Sequence, residues 1–235
     1  MNILFRADSS SLIGIGHIMR DLVLASKYTK EKNNITFAVQ KLVGNINHKI
    51  VENGYKIKIL KSNNIEELNQ LIKNLKIDFL IIDHYSIDYK FEKKIKQMNP
   101  TLIVLSFDDT YEKHNSDIIL NHNINADPKK YRGKVPKECE LRCGSKYTLL
   151  RDEFLKEKKK KRKKRKKEKN IFVAIGGSDH SHINIKVLNV ISKFKNKKVN
   201  IVTTSANKRL KKLKKYCENK HWINLHVNAI NIAQL

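Results

Sequence analysis

A chain of 235 residues with 40% hydrophobic content is long enough to bury a sizeable core, which excludes global disorder. Its three cysteines form no CxxC pair, no window approaches about 18 consecutive apolar residues, and MNILFRADSSS turns polar too early for a secretion signal, so a disulfide framework, a membrane span and an export leader are not expected and a soluble, cytoplasmic protein is. The net charge of +26 is extreme, but residues 156–169, KEKKKKRKKRKKEK, supply +10 of it. The remainder reads as a Lys-rich compositional bias suited to an anionic substrate. A nucleic-acid partner is the less favoured reading, because Lys far exceeds Arg and no aromatic residue interleaves the run.

In chain order, short β-branched runs alternate with stretches of helical periodicity. NILFR (2–6), ITFAV (35–39), KIKIL (56–60), IDFLIID (77–83), TLIVLSF (101–107) and DIILN (117–121) predict strands. The segments 17–32, 45–53, 64–75 and 87–98 predict helices between them, most clearly where Ile65, Leu68, Leu71, Ile72 and Leu75 fall on one face. Several strands are apolar throughout, as expected of a parallel sheet covered on both sides, so the pattern is doubly wound α/β. It loosens over 122–150, around Pro128 and Pro136, and then restarts with NIFVAI (170–175), a helix over 182–195, VNIVTT (199–204), a helix over 207–219 and INLHV (223–227). The predicted organisation is a Rossmann-like domain over 1–155, a Lys-rich linker over 156–169, and a partial second Rossmann-like domain over 170–235. The second is expected to be cut short, because three strands leave an open edge and a poorly covered face. The Lys run reads as a solvated linker held open by self-repulsion, with an anionic tether as the alternative.

The segment SSSLIGIGHIMRD (9–21) joins the first strand to the first helix. A strand, a glycine-rich turn and a helix start can aim backbone N–H groups at an anion, and Gly14 and Gly16 permit a close approach of backbone to ligand. Dinucleotide binding is not expected: the third glycine is missing, and no acidic residue closes the second strand, which runs into Gln40. His17, in the first helical turn, is a candidate proton acceptor because a helix N-terminus disfavours imidazolium; the alternative is a turn histidine. Arg20, one turn on, is a candidate anion contact or a surface charge. LIIDHYS places Asp83, His84 and Tyr85 past one strand, and LSFDDT does the same for Asp108 and Asp109. Each is alone consistent with an ordinary loop start, but the carboxyl ends of parallel strands are where ligands bind, so the three elements converge on one crevice. IGGSD (175–179) follows the first strand of the second unit in the same way. His180 and His182 lack a third ligand nearby, so no metal is expected.

With FRADSSSLIGIGHIMRDLVLA, FLIIDHYS, LSFDD, IILN, LRCGSKYTLLRDEF and IGGSD in this order, the chain resembles the UDP-sugar hydrolases of pseudaminic acid biosynthesis. These cleave UDP-2,4-diacetamido-2,4,6-trideoxy-β-L-altropyranose and are similar in turn to the GT-B glycosyltransferase that adds N-acetylglucosamine in peptidoglycan synthesis. The resemblance implies a GT-B-like fold of two Rossmann-like domains facing a cleft, a UDP-sugar substrate, inverting hydrolysis at C1, and no metal or other cofactor. It implies that His17 activates water, that Tyr85 helps to position water or sugar, and that Arg151 contacts substrate. Gly14, Gly16, Arg20, Asp108, Gly176 and Gly177 complete the expected substrate-binding set. The family's later uridine-diphosphate motif, small residues before a glutamate, has no match in these residues. A glycosyltransferase using the same histidine, and an inactive remnant of the hydrolase, are the alternative readings; oligomeric state is not readable from the sequence.

Overall fold

Strand β1 (Asn2–Ala7) shows how the first half of the chain is built. Its odd-numbered residues Ile3, Phe5 and Ala7 enter one apolar cluster and Leu4 enters another, so both faces of the strand are buried. This is why Ile3, Leu4 and Phe5 form a continuous apolar run instead of alternating with polar residues. The computed structural model describes residues 1–159, 169–176, 179, 183–229 and 231–235. The predictions for the Lys run over 160–168, Gly177, His180 and His182 fall outside the described residues. The chain divides into two compact units, Met1–Leu150 and Arg151–Leu235.

The first unit is a seven-stranded parallel sheet. Its strands are β1, β2 (Asn34–Gln40), β3 (Lys56–Leu60), β4 (Phe79–Asp83), β5 (Ile103–Phe107), β6 (Ile118–Asn121) and β7 (Glu140–Cys143), in the spatial order β3-β2-β1-β4-β5-β6-β7. Helices α1 (Gly16–Thr29) and α2 (Asn47–Glu52) pack on one face through Ile18, Leu22, Ala25 and Ile50. Helices α3 (Ile65–Asn74) and α4 (Tyr89–Met98) cover the other through Leu68, Ile72 and Ile95. Each such leucine or isoleucine, fully buried, contributes about 1.5–3 kcal/mol of transfer free energy. Asn64 starts α3 by accepting N–H bonds from Glu66 and Glu67 at 2.7 and 3.1 Å, and Asp88 starts α4 by accepting from Phe91 at 2.9 Å.

The strand order reverses between β1 and β4, which pair in parallel with Ala7 opposite Asp83. Helices on opposite faces leave the sheet on either side of this point, the arrangement beside which open α/β sheets bind their ligands. Two regions of this unit differ from the sequence expectation. Helix α1 stops at Thr29, short of residue 32, and Lys32 takes a left-handed φ of 58° in the turn that follows. Within 122–150, Glu140–Cys143 forms the edge strand β7, paired with β6, where no strand is predicted; four half-exposed polar and apolar residues carry no clear period. Two short 3-10 turns, Pro128–Tyr131 and Ser145–Tyr147, flank it.

The second unit contains α5 (Asp152–Lys159), β8 (Lys169–Ala174), α6 (Asn184–Ser192), β9 (Lys197–Thr203), α7 (Leu210–Cys217) and β10 (Ile223–Val227). The three strands are parallel in the order β10-β9-β8. Their core is Val173, Leu188, Ile191, Val199, Ile201, Leu213 and Ile223. No helix among the described residues is long and apolar enough to cross a membrane.

Candidate active site

The loop between β1 and α1 folds on itself before the helix begins. Ser10 and Gly14 exchange backbone bonds at 3.2 and 2.8 Å, and the Ser10 hydroxyl accepts the N–H groups of Leu12 and Ile13 at 3.1 and 2.9 Å. The loop amides of residues 12–14 are therefore spent inside this small hairpin and do not cradle an anion. What remains is the start of α1, whose N-cap Ile15 offers no side-chain acceptor, so the first-turn amides at Gly16, His17 and Ile18 lack intrahelical carbonyls. Gly14 needs its glycine, because φ is +86°. A Cβ added at Gly14 or Gly16 would meet nothing within 4 Å, so the space above this turn is open. The hairpin is braced from the side: Ser11 N–H donates to the Val43 carbonyl at 2.9 Å, and Ile46 N–H donates to the Ser9 hydroxyl at 3.0 Å.

His17 is almost fully buried, with Nδ1 2.6 Å from Asp83 Oδ1 at the end of β4. Burial opposes ionisation of Asp83, but the bonds from Arg20 and His17 outweigh it and hold its carboxyl below the usual range. An ionised carboxylate only accepts, so in the neutral imidazole the tautomer that suits this contact carries its proton on Nδ1 and its lone pair on Nε2. Arg20, one turn along α1, clamps the same carboxylate: Nε donates to Oδ2 at 2.5 Å and Nη2 donates to Oδ1. Its Nη1 lies 3.3 Å from His122 Nε2 and 3.8 Å from Asp109 Oδ2, and the guanidinium carbon sits 4.8 Å from the Phe107 ring centroid. Burial and the neighbouring positive charge push the His122 ring below its ordinary pKa, so it is neutral and accepts from Arg20. Arg20 is thus a structural clamp on Asp83, held on all sides, and not an open cation.

Tyr85 stands edge-on to His17, with ring centroids 5.0 Å apart and planes at 78°. Its hydroxyl donates to Asp109 Oδ2 at 3.0 Å. Two-thirds of Tyr85 is exposed, so it forms the rim of the site. The turn that carries it is held by His84, whose Nδ1 accepts from Ser86 N–H at 3.1 Å and whose Nε2 donates to Asp8 Oδ2 at 3.1 Å. Asp8 is buried, which opposes its ionisation, yet its bonds from His84, Arg6 and the Gln40 amide bring its pKa down to about 2. Arg6, fully buried inside β1, donates to Asp8, Asn63 and the carbonyls of Ala7 and Ala38.

The structure brings His17, Arg20 and Tyr85 together at one end of the sheet, beside Gly14 and Gly16. It turns Asp108 away: that carboxylate accepts from the Tyr131 hydroxyl at 2.7 Å and from the Thr110 amide and hydroxyl at 2.9 Å, leaving Asp109 to face the site. Arg151 belongs to the second unit, where it pairs with Glu153 at 2.8 Å and lies against Phe154. Gly176, also in the second unit, has a φ of +63° and open space at its Cβ position. The orienting role of Asp83, and the contributions of Asp109, Phe107 and His122, are not evident from the sequence. A strand-end aspartate is visible in LIID, but its partner lies 66 residues earlier in the chain. No group of three or more His, Cys, Asp or Glu among the described residues is placed to hold a metal ion.

No family model matches the chain. Its fold is similar to MurG of Acinetobacter baumannii, with a TM-score of 0.57 at 10% identity over 97% of this chain and 66% of that one. It is also similar to a UDP-GlcNAc 2-epimerase from Neisseria meningitidis, with a TM-score of 0.56 at 11% identity over 100% of this chain and 74% of that one. Parallel sheets with a site at the strand-order reversal, together with these likenesses, define an α/β protein of the GT-B class. In sequence, the chain is 42% identical over 235 residues, all of its length and 81% of the relative's, to a UDP-2,4-diacetamido-2,4,6-trideoxy-β-L-altropyranose hydrolase of Campylobacter jejuni. It is 33% identical to an uncharacterized protein of Methanocaldococcus jannaschii, of which it spans half. The chain belongs to the family of the UDP-2,4-diacetamido-2,4,6-trideoxy-β-L-altropyranose hydrolases.

Proposed function

We propose that this chain is a UDP-sugar hydrolase that cleaves UDP-2,4-diacetamido-2,4,6-trideoxy-β-L-altropyranose at C1, in pseudaminic acid biosynthesis, with His17 as the general base. The observation that carries this reading is the His17–Asp83 pair, a buried histidine whose Nδ1 lies 2.6 Å from the strand-end carboxylate, so that the matching neutral tautomer has its lone pair on Nε2. In the proposed step, Nε2 takes a proton from water as the water oxygen bonds to C1. The C1–O bond to UDP breaks, and its electron pair leaves with the diphosphate. The imidazolium so formed is stabilised by Asp83, and the positive end of α1 favours the anionic charge that develops nearby. Sugar alkoxides need an acid to leave, whereas a diphosphate does not, so one base suffices and neither a second carboxyl nor a metal is required. Attack from the face opposite UDP inverts the anomeric centre. Tyr85 lies against the His17 ring and is assigned to positioning water or sugar. Gly14 and Gly16 keep the approach to the helix start open, and Arg151, Gly176 and Gly177 enter as substrate contacts by family resemblance.

The test is UDP release from the diacetamido UDP-sugar in ¹⁸O-labelled water, with no acceptor and with chelator present. The label is expected on the free sugar and not on UDP, and the first-formed anomer is expected to be inverted. His17→Asn should lower turnover by about 10²–10⁴-fold with little change in KM. UDP release that requires an added acceptor would instead make the chain a transferase, and full turnover by His17→Asn would remove the base assignment.

A further inference from the structure

Asp21 lies one turn beyond His17 on the same face of α1, and it is completely buried. Neither of its carboxyl oxygens has a hydrogen-bond donor within reach. The charged groups that act on it are Arg20 of its own helix and Asp83 at the end of β4. Arg20 is already committed to Asp83 and His122. The outer neighbours of this pair are His17 on α1, Tyr85 after β4, Asp109 after β5 and His122 after β6. A carboxylate sealed from water beside a second carboxylate, with no donor of its own, is strongly unfavourable; a carboxylic acid in the same place supplies the missing donor itself.

We propose that Asp21 is a protonated acid that donates its O–H to Asp83, and that it is a positioning residue moderating the pull of Asp83 on His17. Burial and the negative charge of Asp83 both push the Asp21 carboxyl well above the ordinary range, and Arg20 only partly opposes them. The consequence lies in the charge balance. Arg20 and Asp83 cancel, so Asp83 orients the imidazole without a second negative charge beneath it. An ionised Asp21 would add that charge and favour the imidazolium, which cannot accept a proton from water.

This role rests on the hydrolase reading, and two measurements test it without relying on turnover. The infrared spectrum of the whole chain at neutral pH should contain the C=O stretch of a protonated carboxylic acid that disappears in Asp21→Asn. The His17 ring titration, followed by NMR, should move to higher pH by about one unit in Asp21→Ala, the size typical of one altered neighbour. Asp21→Asn, which restores a neutral donor, should bring it back towards the wild-type position. The acidic limb of kcat/KM for UDP release should move in the same way. Absence of the infrared band overturns the proposal, and so does a titration that both variants leave in place or that Asp21→Asn moves to lower pH. If the wild-type chain releases no UDP, the hydrolase reading fails by itself, while the band and the ring titration still decide the state of Asp21.

Discussion

His114 illustrates how single residues near the site are held by charge. It is buried, its Nδ1 lies 2.8 Å from Glu92 on α4, and its Nε2 is 3.9 Å from Asp108, an ion pair beyond hydrogen-bond range. Burial alone would lower its pKa, but Asp108 and Glu92 together raise it to about 9. A pKa above the unfolded value of about 6.5 means stability that is fully present below that pH and is lost as pH rises through about 9. Urea midpoints measured between pH 6 and pH 9.5 should therefore fall in the wild type and change much less in His114→Gln; equal falls would show that another group is responsible. Asp108 is bound into this network, and Asp109, the next residue, presents its carboxylate to Tyr85. The sequence shows both aspartates after a strand and cannot say which one turns inward. That choice depends on Tyr131, more than twenty residues later, which takes up Asp108. Gly14, His17 and Tyr85 are legible as candidates because a left-handed turn, a helix start and a strand end are local features of the sequence.

At the scale of elements, the hairpin before α1 depends on a loop that contains no proposed catalytic group. Gly44 has a φ of +75°, and a Cβ there would lie 2.0 Å from the Ser11 hydroxyl and 2.9 Å from the Ser11 amide nitrogen. The hydroxyl can rotate away, but the backbone cannot, and the left-handed conformation is strained for any other residue. Gly44→Ala should cost about 1–3 kcal/mol and lower turnover by displacing the segment that leads into His17. Thermal unfolding and UDP-release rates on the same preparation check this, and an unchanged Tm would show that the two loops are not coupled as described. Strands β1, β2, β4, β5 and β6 were readable from apolar runs because a parallel sheet covered on both faces imposes that composition, while the edge strand β3 showed through its alternating KIKIL. Strand β7 was not, since it is short, half-exposed and specified by its neighbour β6 more than by its own residues.

At the scale of the whole molecule, the two units have separate cores, and the single tryptophan of the chain, Trp222, packs against the second. Leu188 is completely buried in that core. Leu188→Ala should shift the Trp222 fluorescence transition to lower denaturant by an amount equivalent to about 2–5 kcal/mol. An unmoved transition would mean that the tryptophan does not report on this core. The doubly wound pattern in the sequence indicates parallel sheets but not the spatial order of their strands. It is the reversal at β1 and β4 that joins His17 to Asp83 across 66 residues. That separation also has a consequence during synthesis. At roughly 5–20 residues per second, β1 leaves the ribosome about 4–15 s before β4 exists. Through that interval the strand Ile3–Ala7 has at least one unpaired edge, open to pairing with other chains. The histidine–carboxylate pair therefore cannot form until residue 83 has emerged, whereas β1 and β2 can pair well before it.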